Sequence, residues 1–231
     1  NWSNHLNSET RANPRGVQLF SLASSVWRMI TIYCLLASAS FSQDLFTNIR
    51  SFSIEDGLSS HNISAVSQDF IGYLWVGTDD GNVQVTKNGG LTWDNVVVNI
   101  SGLPNNTWTY HIEASVHGKG TAYAVFDGHT TGDMRPYVYK TSDYGLTWKN
   151  IISTNVVGTT RNIQEDYVNE NLLYLGTEFG LYITADGGTN WEKFTKNVPP
   201  VAIHFIDLQP TTNDLVLGTH GRGIIIIDDI S

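Results

Sequence analysis

The chain has 231 residues, 41% of them hydrophobic and 15% charged, with a formal net charge of −9. An acidic balance with no run of Lys or Arg excludes a phosphate-binding surface, because affinity for nucleic acid depends on basic side chains neutralising the backbone. Twenty-one Gly, seven Trp and ten Tyr favour one turn-rich β domain.

Residues 1–28 show neither helical periodicity nor strand alternation, and the first residue is not Met. From Met29 the text changes to MITIYCLLASASFSQ, an apolar core over 30–39 behind Arg28 and ahead of small residues. This predicts a signal peptide over 29–42, cut near Ser42, and so a secreted or periplasmic protein whose mature part is 43–231. The run is shorter than the roughly 20 apolar residues a membrane-crossing helix needs, so no stable membrane insertion is expected of the mature chain. Met29 is then the natural start and 1–28 an upstream stretch read in frame; a disordered extension is the other reading. Cys34 lies inside the apolar core, and Thr31, Ile32 and Tyr33 do not form the small-residue box of a lipid anchor. The mature chain would therefore have no cysteine, hence no disulfide and no thiolate metal site.

Alternating apolar segments follow in groups. Strands are predicted at 63–68, 73–78, 82–86 and 93–98; at 111–117, 121–126, 137–141 and 148–152; and at 162–167, 172–177, 181–184 and 191–194. A last group, 202–208, 214–219 and 223–228, lacks its fourth member. One octapeptide closes each of the first three groups: TKNGGLTW over Thr86, Asn88, Gly90 and Trp93; TSDYGLTW over Thr141, Asp143, Gly145 and Trp148; TADGGTNW over Thr184, Asp186, Gly188 and Trp191. An Asx acceptor followed by Gly suits a tight turn between antiparallel strands. The Trp is expected to cover the hairpin's apolar side while its N–H finds an acceptor. A second repeat, WVGTDDGNV, YLGTEFGLY and VLGTHGRGI, puts Gly-Thr at a strand end. Gly176 and Gly218 are 42 residues apart and Trp148 and Trp191 are 43, matching a propeller blade of roughly 40 to 50 residues. The longer interval from Trp93 to Trp148 is assigned to the loop Asp127–Pro136. The expected fold is all-β, a partial β-propeller of about four four-stranded blades with the last incomplete, needing further blades or another copy to close.

The octapeptides resemble Asp-boxes, the hairpin motif of the BNR-repeat propellers that include sialidases, xyloglucan-active glycosidases and the sortilin ectodomain. That resemblance implies a peripheral, structural role for the twelve box residues named above. Residues 46–83, with EDGLSSHNIS, QDFIGYLWVGT and the DDG turn, also resemble the periplasmic sensor propellers of two-component histidine kinases.

Function is expected in loops at the mouth of such a ring. The candidates are Asp127, His129 and Asp133 with Arg135 in one loop and His220 with Arg222 in another. The alternative is that the histidines bond turn backbone and Arg222 pairs with a carboxylate. Trp108 and Tyr110 lie between two predicted groups and are read either as core or as a stacking surface. Asp127, Asp133, Glu165, Asp166 and Glu178 are carboxylates of the type inverting glycosidases hold about 6.5 to 9.5 Å apart, but no pair is singled out. Arg50, Arg135, Arg161 and Arg222 follow no sialidase triad. His61, His111 and His117 form no metal pattern, and neither metal nor cofactor is expected. The reading is a binding module for carbohydrate or protein; a glycoside hydrolase fragment and the sensing part of a receptor kinase are the alternatives.

Overall fold

The computed structural model describes residues 49–230. The chain divides into two units, Asn1–Ser51 and Phe52–Ser231. Residues 49–51 of the first are exposed and without regular structure; the expected signal peptide and the upstream extension lie outside the described residues.

Every residue of Ala122–Asp127 and Leu173–Thr177 is buried. A strand covered on both faces sends successive side chains to opposite neighbours. Tyr123 and Val125 accordingly pack with Ile151, Ile163, Leu173, Leu175 and Trp191. Ala122, Ala124 and Phe126 pack the other way, with Trp75, Val83, Val85 and Ile112. A third cluster joins Tyr174 and Leu181 to Ile203, Ile206, Leu215 and Leu217. The core is thus three slabs, each between two consecutive sheets.

The sheets are simple antiparallel meanders in chain order. Sheet one has β1 (Ile63–Gln68), β2 (Leu74–Thr78), β3 (Val83–Thr86) and β4 (Asp94–Asn95). Sheet two has β5 (Trp108–Ala114), β6 (Ala122–Asp127), β7 (Tyr137–Thr141) and β8 (Lys149–Asn150). Sheet three has β9 (Thr160–Glu165), β10 (Leu173–Thr177), β11 (Gly180–Thr184) and β12 (Glu192–Phe194). Sheet four has β13 (Ile203–Gln209), β14 (Asp214–Thr219) and β15 (Ile224–Ile227). The first strands β1, β5, β9 and β13 touch in succession. This is a four-blade β-propeller arrangement whose last blade has three strands, as the sequence predicts.

Three strands differ most from the prediction. β4 and β8 shrink to two residues because Asn95 and Asn150 accept from the N–H groups of Val97 and Ile152, at 3.3 and 2.8 Å, which turns the chain out of the ladder. β5 begins at Trp108 rather than His111, so Trp108 and Tyr110 belong to a first strand and not to a connection. A bulge at Tyr110 interrupts the period-two pattern there.

The three octapeptides fold alike. Thr141 Oγ1 donates to Asp143 Oδ1 at 2.9 Å and accepts from Gly145 N at 2.9 Å, while Asp143 accepts from Thr147 N at 2.8 Å. Asp186 repeats this with Thr184 and Asn190, and Asn88 with Thr86 and Thr92. The donors around Asp186 hold its carboxyl down at about 2, led by the Asn190 backbone and side-chain N–H groups. Gly145 and Gly188 have φ of +82° and +91°, and a Cβ on either would strike Val96 or Ile151 of the preceding blade. In blade one the residue lying against the corresponding Gly90 is Phe52. The Trp reaches further than its own hairpin. Trp191 is 1% exposed and donates to Ile151 O at 2.6 Å, and Trp148 meets Trp75 edge-on at 6.3 Å. Each of these two therefore joins two blades. Trp93 and Trp148 leave their indole N–H groups buried and unpartnered, so the expected acceptor is found by Trp191 alone.

Trp191→Ala is expected to destabilise the protein by about 3–5 kcal/mol, since it empties a buried aromatic site, and Asp186→Ala by less. Urea unfolding with equal midpoints for both variants would contradict this ranking.

Candidate axial binding site

One irregularity recurs at the same place in every blade. The pairing of first and second strands slips between Ile63 and Ala65, between Thr109 and His111, between Thr160 and Asn162, and between Ile203 and Phe205. The extra residues are Ser64, Tyr110, Arg161 and His204. A bulged residue has no cross-strand partner, and its side chain is re-aimed out of the sheet. The end of each second strand, or the residue just after it, supplies a companion: Asp127 closes β6, and Asp79, Glu178 and His220 follow β2, β10 and β14. Three of them fasten their N–H to the carbonyl just ahead of the first strand, Asp79 to Asn62, Glu178 to Thr159 and His220 to Ala202.

Tyr110, Arg161 and His204 of the first set converge with Glu178 and His220 of the second. A cavity of about 310 Å³ is lined by Trp108, Tyr110, His129, Arg161, Glu178, Ala202, His204 and His220. Tyr110 Oη lies 3.0 Å from His204 Nδ1, linking blades two and four. The His204 ring stacks on His220 with centroids 5.4 Å apart, and Trp108 packs on Tyr110 at 4.9 Å. Arg161 sits 5.1 Å from the Tyr110 ring centre. Its side chain is 7% exposed and its guanidinium bridges two carboxylates, Nη1 to Asp127 and Nη2 to Glu178 at 3.1 Å. Asp127, fully buried, also binds His129 Nδ1 at 2.5 Å. In blade one Ser64 Oγ donates to Thr109 O at 2.5 Å instead of facing the cavity.

Of the sequence candidates, Trp108, Tyr110, His129 and His220 line the cavity, and Asp127 lies beneath it holding Arg161 and His129. Asp133 is spent within its own loop, accepting from Arg135 Nε and Nη2 at 2.9 and 2.7 Å and from Tyr137 Oη at 2.8 Å. The Arg135 bonds hold its carboxyl well below the ordinary carboxylate range. Arg222 is exposed and outside the lining. Glu165 is buried between blades, accepting from Ser115 Oγ, Val116 N and Tyr123 Oη at 3.0, 3.0 and 2.8 Å. Burial, then the Glu165 charge, push the Tyr123 phenol far up.

The sequence pattern does not single out Arg161 or His204, and it marks Glu178 only as one of five carboxylates. The Gly-Thr repeats carry the signal that marks them. Glu178 and His220 each follow the Thr, and Ser64, Arg161 and His204 precede Gly77, Gly176 and Gly218 by 13, 15 and 14 residues. Among the described residues no group of His, Cys, Asp or Glu is placed to hold a metal ion, and no helix is long and apolar enough to cross a membrane.

No protein-family description matches the chain, and no curated protein does. Solved structures do. The extracellular domain of a one-component system from B. thetaiotaomicron superposes with a TM-score of 0.61 at 16% identity, covering 79% of this chain and 24% of that one. A GH74 xyloglucanase from Xanthomonas campestris gives 0.55 at 18%, covering 71% and 28%. The protein YCF48 bound to D1 peptide gives 0.53 at 18%, covering 74% and 52%. All three establish the propeller fold, and the chain spans about half or less of each.

The His204 imidazole is held below its ordinary range, first by burial and then by the Arg161 and His220 charges. A lowered imidazole pKa means that the unfolded chain takes up the proton first, so stability declines as pH falls from about 6.5 toward the folded value. The melting temperature of His204→Gln is expected to drop less than that of the parent between about pH 7 and about pH 5. Identical drops would show that His204 carries none of the effect.

Proposed function

We propose that the chain is a ligand-binding propeller module, exported to the periplasm or beyond, that takes a carbohydrate or a protein segment at the axial cavity. The observation that carries this is the convergence of three bulged side chains, Tyr110, Arg161 and His204, on one concave site beside Trp108. An aromatic floor with few fixed polar groups suits stacking on a sugar ring or an amino-acid side chain. Both carboxylates nearest the cavity bond Arg161, which favours recognition over acid and base catalysis. Export rests on the apolar run at 30–39, and the peripheral role of the octapeptides on their resemblance to Asp-boxes.

A second reading makes this module the sensing part of a receptor. Residues 46–83 and the likeness to an extracellular domain of a one-component system support that setting, and the same cavity would serve it.

The test is a screen against an array of plant and bacterial oligosaccharides and against a displayed random-peptide library, with the best hit titrated by calorimetry. Tyr110→Ala should weaken that hit by about tenfold or more, as expected of a central aromatic contact, and Asp186→Ala should leave it unchanged. No hit in either screen, or a hit indifferent to Tyr110→Ala, would falsify the assignment.

A further inference from the structure

The axial cavity holds more hydrogen-bond donors than the protein itself satisfies. Arg161 Nε and Trp108 Nε1 are buried and have no acceptor among the described residues, and both groups can only donate. Buried donors are ordinarily paired, so an unpaired one asks for an explanation. Two of them on side chains that line one cavity point to a ligand rich in oxygen.

The cavity also gathers groups that are scarce in this acidic chain. Lys and Arg number 13 against 22 Asp and Glu, yet Arg161 and three of the seven histidines, His129, His204 and His220, line this one space. Glu178 is the only carboxylate of the lining, and Arg161 Nη2 engages it at 3.1 Å. Asp127, beneath, is held by Arg161 Nη1 and by His129 Nδ1. The His204 ring instead meets Tyr110 Oη at 3.0 Å and the His220 ring at 5.4 Å, so no carboxylate is in contact with it. Facing it are Tyr110 on β5, His129 after β6, Arg161 on β9, Glu178 after β10 and His220 after β14. Burial, then the Arg161 and His220 charges, hold its imidazole below the ordinary range against a smaller opposing pull from Glu178.

Beside these donors stands an aromatic wall, Trp108 and Tyr110 with centroids 4.9 Å apart. At about 310 Å³ the cavity lies at the small end of ligand sites, which suits a single ring. Glu178 keeps one oxygen outside its bond to Arg161, an acceptor for a hydroxyl. A ring for the aromatic faces, a carboxylate for the donors and hydroxyls for Glu178 together describe a sugar acid. An acidic peptide side chain brings the carboxylate alone.

We propose that the axial cavity takes a uronic acid residue, its ring against Trp108 and Tyr110 and its carboxylate toward Arg161, His204 and His220, with a proton taken up at His204 on binding. This rests on the binding role proposed above for the same cavity. The ligand carboxylate supplies the counter-charge that His204 lacks, so the imidazole titrates higher in the complex than in the free protein. Affinity therefore rises as pH falls from the bound value toward the free one, and levels off below it.

The test is an NMR titration of the full chain with the methyl glycosides of glucuronic and galacturonic acid, and of glucose and galactose. It is run at about pH 7.5 and about pH 5.5, across the range in which an imidazole titrates. A uronide should bind about tenfold or more tighter than its neutral counterpart, as charge-assisted hydrogen bonds allow, and the margin should widen at the lower pH. His204→Gln should still bind the uronide but lose that widening, and in the parent the His204 ring resonances should titrate higher with the uronide bound. Neutral glycosides bound equally well, with Tyr110→Ala abolishing the binding, would overturn the uronic acid inference and leave the binding role of the cavity standing. Uronide binding indifferent to Tyr110→Ala would overturn both. Binding of acidic peptides in place of any glycoside, or of no glycoside at all, also overturns the inference.

Discussion

Two antiparallel sheets lie face to face here at a spacing that glycine sets. At Gly77 and Gly176 the first strand of the next blade comes so close that a single methyl group would collide with it. At Gly145 and Gly188 the end of the previous blade does the same from the other direction. Between these contacts apolar side chains of neighbouring blades pack into shared clusters, and Trp191 reaches from blade three to Ile151 at the end of blade two with one indole hydrogen bond. Packing density of this kind leaves little freedom for one blade to rotate against another, and the cavity inherits its geometry from that fixity. Tyr110 and His204 come within hydrogen-bonding distance from strands two blades apart.

The polar groups follow a division of labour. Asp143 and Asp186 sit at the periphery and satisfy turn N–H groups, while Glu165 ties blade two to blade three by accepting from a backbone N–H, a serine and a tyrosine. Nearer the axis, Arg161 is desolvated yet bonded to two carboxylates. Burying a charge is costly unless it is paired, and an apolar trio would serve packing as well or better. An arginine fixed beside a tyrosine ring at the edge of an open cavity makes sense as a preset surface.

The fold was legible because its repeats are local: Thr, Asx, Gly and Trp stand within eight residues, and Gly-Thr marks the end of each of three second strands. The periphery of the molecule is therefore written contiguously. The cavity is not. Arg161 and Glu178 meet across a strand, and Tyr110 and His204 are 94 positions apart. The bulge that aims each of the four residues also breaks the alternation by which a strand is recognised. That is why the sequence pattern puts β5 three residues late and makes Trp108 and Tyr110 look like a connection. Loop polarity alone is a poor guide, since the predicted loop Asp127–Pro136 contains both Asp127, which closes β6 and holds Arg161, and Asp133, which bonds only within its own neighbourhood.

The bulges have one more consequence. Ser64, Tyr110, Arg161 and His204 are outside the pairing register of their strands, so the sheet makes little demand on which side chain stands there. A hydroxyl, a phenol, a guanidinium and an imidazole occupy four equivalent sites on nearly the same backbone. If the cavity binds as proposed, such a scaffold can change what it recognises one position at a time on the same four blades. Retargeting by substitution at these four sites is an engineering route that the architecture leaves open.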